Sequence, residues 1–202
     1  MQSEEVQRSF IQDYEYLYSE AKYWNIHIMF YDPVHQLHNS SSGRCWIEKW
    51  TEYFLKSNTW RKRVTAMWAI NPLNMQFSWI ITEDNCDSEM TKATLKVIRN
   101  DYPDEKPIHI ILDNAAYNRS YEVQDYAESL GIVLYFLPPY SPNLNLIERL
   151  RKFMKKILVK NRYFETFQEF YDAFIDFFVY LKKHHNKLIT IFNNKFQILK
   201  EV

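Results

Sequence analysis

The sequence predicts an α/β domain, a mixed sheet of an antiparallel meander plus parallel strands with helices on both faces. Three observations carry that expectation. Short apolar runs joined by tight turns fill residues 26–82. From Ser88 onward, helical and strand periods alternate. The later strand runs, Ile108–Leu112 and Ile132–Leu137, are apolar without a break, as in strands buried on both faces. No repeat and no linker divides the 202 residues, so residues 1–202 read as a single domain.

Taken in order, residues 4–24 predict a helix, because Val6, Phe10, Tyr14, Leu17, Tyr18 and Ala21 recur at three- and four-residue steps. Residues 26–32 predict a strand ending at Asp32, with Pro33 turning the chain out of the ladder. Residues 39–43 are turn chemistry, and Arg44–Trp50 reads as a short strand. Asn58 and Thr59 mark a further turn, before strands at Arg61–Ile70 and Met75–Thr82. Ser88 reads as the N-cap of a helix running to Asn100, stopped by Tyr102-Pro103. Arg119–Leu130 predicts a helix that Gly131 terminates. Ser141-Pro142 reads as the cap and first turn of a helix reaching about Lys160. Thr166–Lys183 predicts a long amphipathic helix, and residues 184–202 carry no assignment. The ribonuclease H-like fold has this order of elements, an analogy of architecture that does not by itself give a function.

Composition removes several classes of function. With only two glycines, Gly43 and Gly131, no Gly-rich phosphate loop exists. Cys45 and Cys86 form no CxxC pair, which argues against a disulfide framework or thiolate zinc and for a reducing compartment. No apolar run reaches transmembrane length, so no membrane partner is expected. Acids and bases balance at 25 each, but their distribution is uneven. Residues 149–163 hold Arg149, Arg151, Lys152, Lys155, Lys156, Lys160 and Arg162 and no acid. A local basic patch of this kind suits phosphate binding. It is equally consistent with a solvated helix face.

Three carboxylates stand out. Asp32 and Asp113 each end a predicted strand, and Glu148 lies early in the helix that follows a third. Asp113 and Glu148 are separated by 34 residues. Each acid has a plain alternative: Asp32 and Asp113 as turn formers, Glu148 as surface charge. If the three strands are sheet neighbours, the acids converge at one edge, and mutual repulsion raises their pKa values unless a divalent cation intervenes. Hard oxygen donors select Mg²⁺ or Mn²⁺, and two such ions would clamp a phosphoryl displacement. Glu148, Arg151, Lys152 and Lys155 fall on one helical row, which suits a metal ligand beside a DNA backbone path. Asn114 and His35, beside the acids, are further candidates for DNA contact, as is Lys156. The His35-x-x-His38 pair lacks a third soft ligand, which disfavours zinc. Tryptophans 46, 50, 60, 68 and 79 are expected mostly in the core, with one or two as candidates to stack on bases.

LDNAAYNRS followed by LPPYSPNLNLIERLRKFMKK resembles the catalytic domain of DDE transposases, in the bacterial insertion-sequence branch of the mariner superfamily. FYDPVHQLHNS resembles the segment carrying that family's first aspartate, and RYFETFQEFYDAFIDFF its closing helix. The resemblance covers roughly residues 5–200. It implies a ribonuclease H-like fold, with Asp32, Asp113 and Glu148 as catalytic metal ligands for two Mg²⁺ or Mn²⁺ ions. It implies cleavage of double-stranded DNA at element ends and 3′-OH strand transfer into a target. An active homodimer and a cytoplasmic, nucleoid-associated location in bacteria follow from it as well. The family's N-terminal helix-turn-helix region has no counterpart in the sequence, and Arg151, Asn118 and Trp68 depart from the family's usual residues. An inactive remnant that only binds DNA or regulates, and a ribonuclease H-type RNA hydrolase, are the rival expectations.

Overall fold

The computed structural model describes residues 4–39, 46–52, 54, 56, 62–192 and 196–198. Its elements run α1 (Glu4–Lys22), β1 (His27–Leu37), β2 (Arg63–Ile70), β3 (Phe77–Thr82), α2 (Ser88–Asp101), β4 (Ile108–Leu112), α3 (Tyr121–Ser129), β5 (Ile132–Phe136), α4 (Leu146–Leu158), α5 (Phe167–Val179) and α6 (His185–Ile191). The strands form one sheet in the order β3-β2-β1-β4-β5. β1, β2 and β3 pair antiparallel, whereas β1–β4 and β4–β5 pair parallel. This is the expected mixed sheet, with the meander at one side and the parallel strands at the other.

Alternation along the strands divides the core in two. On one face Ile28, Phe30, Val34 and Ile111 meet Tyr14 and Leu17 of α1, Leu150 and Met154 of α4, Phe170 and Phe174 of α5 and Leu188 of α6. On the other face Met29, Tyr31, Ile110 and Leu112 meet Leu95 and Ile98 of α2 and Val123 and Ala127 of α3. Helices therefore cover both faces.

Several boundaries differ from expectation, each for a local reason. β1 does not end at Asp32 but continues through Pro33 to Leu37, with Pro33 level with Met67 of β2. The parallel partner stops at Phe30, so beyond it β1 is paired on one side only. The Pro33 carbonyl accepts from Arg151 rather than from β2, which turns the proline's nitrogen to that same unpaired side, where it breaks no ladder bond. β5 is an edge strand and largely half-buried, not enclosed on both faces. α2 is capped by Asp87, whose side chain accepts from the Met90 amide, and not by Ser88. Ser141-Pro142 opens a short 3-10 turn (Pro142–Leu144), and α4 starts at Leu146 under Asn145, which accepts from the Ile147 amide. α4 ends at Leu158, and the last predicted helix stops at Val179 before a 3-10 turn and α6.

Residues 46–50 form no strand, and Trp46 and Trp50 are exposed, so neither belongs to the core. Trp68 is buried against Phe178, and Trp79 is partly buried. The expectations for residues 40–45 and for Asn58, Thr59, Trp60 and Arg61 lie outside the described residues. Gly131 follows α3 with φ +66, which turns the chain out of the helix, and its amide donates to the Glu128 carbonyl. In α5, Phe174 is fully buried within a row of aromatic rings, 5.4 Å from Phe170 and 6.2 Å from Phe178. Phe174→Ala is expected to cost about 3–5 kcal/mol in chemical denaturation. Lys152→Ala, on the solvent side of α4, should stay within about 0.5 kcal/mol of the parent.

Candidate functional site

The register between β1 and β4 sets the site. Phe30 is level with Ile111, and both belong to the face covered by α1, α4 and α5. Two residues further on come Asp32, still within β1, and Asp113, just past the end of β4, and both reach the same cleft. α4 packs on that face through Ile147, Leu150 and Met154. Glu148, in its first turn, therefore looks toward the two aspartates. Asp32, Asp113 and Glu148 line one open cleft of about 560 Å³, with His35, Asn114, Tyr117, Asn145 and Arg151 and the wall Leu137–Pro142.

Each carboxylate has its own support. Asp113 accepts on Oδ1 from the Ala115 amide at 3.1 Å and from Asn118 Nδ2 at 2.8 Å. Its turn-forming role is thus real, but both bonds fall on one oxygen and leave Oδ2 uncommitted to the turn. Asn118 is fully buried and also accepts from the Thr91 hydroxyl at 3.2 Å. Asn114 donates to the Leu137 carbonyl and so ties the exit of β4 to that of β5. Asp32 is buried and accepts from Asn145 Nδ2 at 3.4 Å, so the residue that caps α4 also touches the acid of β1.

Arg151 departs from the expected outward row. Its Nη2 donates to Asp32 Oδ2 at 2.8 Å and to the Pro33 carbonyl at 2.9 Å, and its Nη1 donates to Glu148 Oε1 at 2.7 Å. Its Nε is buried without a hydrogen-bond partner. Lys152, Lys155 and Lys156 remain exposed on α4, outside the cleft lining. His35 is exposed at the rim, with Nδ1 3.1 Å from the Thr65 hydroxyl. His38 is buried, stacked on Phe170, with Nε2 3.0 Å from the Phe164 carbonyl. The two histidines do not share a site.

Burial pushes the Asp32 carboxyl up to about 7. The Arg151 guanidinium opposes that shift, while Asp113 and Glu148 add to it. Burial also raises the Tyr117 phenol, helped by Cys86, Asp113 and Asp32. By chemistry the donors suit a hard divalent cation, since all three are carboxylates. By spacing they are not yet gathered: among the described residues, no three His, Cys, Asp or Glu side chains form a group able to hold a metal ion. The guanidinium bridges two of them instead. Asn118, Asn145 and Tyr117 were not singled out as site residues. Asn118 is marked in the sequence by its departure from the family's usual residue, and Asn145 by its place as an N-cap residue directly before an apolar-periodic run.

Two measurements probe this arrangement. Asn118→Ala removes partners from both Asp113 and Thr91 and should lower stability by about 1–3 kcal/mol in urea denaturation. Asp32 ionises at 3.8 when solvated and about 7 when folded, so the folded state binds the extra proton between those values. Its contribution to stability is present at low pH, falls as pH rises from about 4 to about 7, and is flat above. With EDTA present, Asp32→Asn should flatten that part of the stability–pH curve relative to the parent.

The fold is similar to that of solved structures of Mos1. The Mos1 strand transfer complex aligns with TM-score 0.67 at 13% identity, over 95% of this chain and 59% of that one. The Mos1 mariner paired-end complex with Mn aligns with TM-score 0.65 at 12% identity, over 96% and 62%. The catalytic domain of Mos1 mariner transposase aligns with TM-score 0.60 at 12% identity, over 96% and 93%. The chain thus spans about three fifths of the Mos1 chains in the complexes and nearly all of the isolated catalytic domain, and it has their ribonuclease H-like fold. Comparison with curated proteins finds no match. The family model described as DDE superfamily endonuclease matches residues 27–171, and the chain belongs to that family.

Proposed function

We propose that the protein is the catalytic core of a transposase, cutting DNA at element ends and joining the freed 3′-OH to a target. The observation that carries this reading is the convergence of Asp32, Asp113 and Glu148 in one cleft of a DDE-family fold. Asp32 and Asp113 would hold the cation from the sheet and Glu148 from α4. Two Mg²⁺ or Mn²⁺ ions would suit these oxygens and would supply Lewis-acid activation for phosphodiester exchange. Asn118 and Asn145 orient the aspartates, and Pro138–Pro142 forms a stiff wall along the cleft. Lys152, Lys155 and Lys156 present positive charge beside it for the phosphate backbone of double-stranded DNA. Mos1, with the same fold, forms paired-end complexes, including one with Mn, which supports a paired, homodimeric arrangement on DNA here.

A second reading is favoured by one observation. Arg151 ties Asp32 to Glu148, as in a protein that binds DNA or regulates a transposase without cutting. One assay separates the two. Purified protein with terminal-repeat DNA should nick only when Mn²⁺ or Mg²⁺ is added, and Asp113→Asn should lower the rate at least about 100-fold. Salt-sensitive binding with no nicking in either protein supports the regulatory reading. Nicking that survives Asp113→Asn unchanged removes Asp113 from the site.

A further inference from the structure

We propose that Arg151 is an internal competitor for the cation. Its guanidinium bridges two of the three acids, and while it stays on Asp32 its positive charge opposes a cation among them. The proposal rests on the reading of the cleft as a cation site and adds a residue that sets how tightly the site binds.

A bridging guanidinium does for two carboxylates what a cation does, offering positive charge and satisfying their lone pairs at 2.8 and 2.7 Å. The bridge takes one oxygen of each acid, Oδ2 of Asp32 and Oε1 of Glu148, and leaves Asp32 Oδ1 and Glu148 Oε2 outside it. A cation held by those oxygens would stand beside the guanidinium's positive charge, so the two repel and compete for the same pair of acids. Arg151 is not optimally housed, because its Nε is buried without a partner, which costs free energy in the bridged state. The side chain still keeps about a quarter of its surface exposed, so the way out of the cleft is open. Its pair with Glu148 is local, at i and i+3 on α4, while its pair with Asp32 crosses between elements. The Asp32 contact is the one whose loss frees the site.

Such competition has a simple arithmetic. If the state with Arg151 withdrawn is populated at about one part in ten, apparent metal affinity falls about tenfold below intrinsic affinity. Removing the guanidinium restores the intrinsic value.

The test is Mn²⁺ binding to the full chain, followed by the loss of free-ion signal in electron paramagnetic resonance, with no DNA present. Arg151→Gln should bind Mn²⁺ about tenfold more tightly than the parent, and Arg151→Lys, a point charge without the fork, should fall between them. Thermal unfolding gives a second readout that needs no activity. Arg151→Gln should melt lower than the parent in EDTA and gain more from added Mn²⁺. Equal or weaker binding by Arg151→Gln, with the parent binding through Asp113, overturns the competitor role and leaves the cation site standing. No Mn²⁺ binding by parent or variant, or binding that survives Asp113→Asn, overturns the cation reading and the proposal with it.

Discussion

The parallel register between β1 and β4 is the constraint on which the cleft depends. His27 pairs with Ile108 and Phe30 with Ile111, and two residues later come Asp32, within β1, and Asp113, just past the end of β4. A slip of one residue would turn one acid to the face where Leu95, Ile98 and Val123 pack. The apolar residues before the acids guard against that slip. Ile28 and Phe30 are fully buried on one face and Met29 and Tyr31 on the other, so neither face tolerates the exchange. The hydrophobic core thereby determines where two charged groups stand, although it contains neither of them.

The helix that completes the cleft brings an acid and a base together. Leu146, Ile147, Leu150, Met154 and Leu158 anchor α4, which leaves Glu148 and Arg151 on the side that borders the sheet edge. Burying Asp32 without a counter-charge would be expensive, and Arg151 reaches inward to limit that cost. The carboxyl still ends near 7, so burial and the two neighbouring acids outweigh the single guanidinium. Three carboxyls against one guanidinium leave the cleft short of positive charge. That imbalance is a physical reason for such a site to draw a cation.

Much of the fold was legible because its signals were local. Ile108–Leu112 matched residue for residue, since an uninterrupted apolar run between polar flanks has few alternatives. Gly131 marked the end of α3 because only a residue tolerant of positive φ fits there. Asp32, Asp113 and Glu148 could be nominated from strand ends and helix starts. What stayed hidden was long-range. That β1 continues past Pro33 depends on which of its edges lacks a partner, a property of the sheet and not of the residues 32–33. The direction of Arg151 depends on Asp32, far away in the chain, so helical periodicity placed it among the lysines. Trp46 and Trp50 followed composition into an expected core that their segment never joins.

The division of labour along α4 follows from that last point. Periodicity alone makes Arg151, Lys152 and Lys155 equivalent members of one basic row. Sheet geometry separates them, because the first lies within reach of Asp32 and the later ones lie beyond the end of the cleft. Lys155 and Lys156 also sit in the helix's last turn, where cations are favoured by the dipole whether or not phosphate is near. Their presence is therefore weak support for a DNA path. Arg151 has no such excuse: it lies mid-helix, outside the first and last turns where the dipole acts. Its position is explained by the carboxylates it holds, which makes it the most informative cation in the basic stretch.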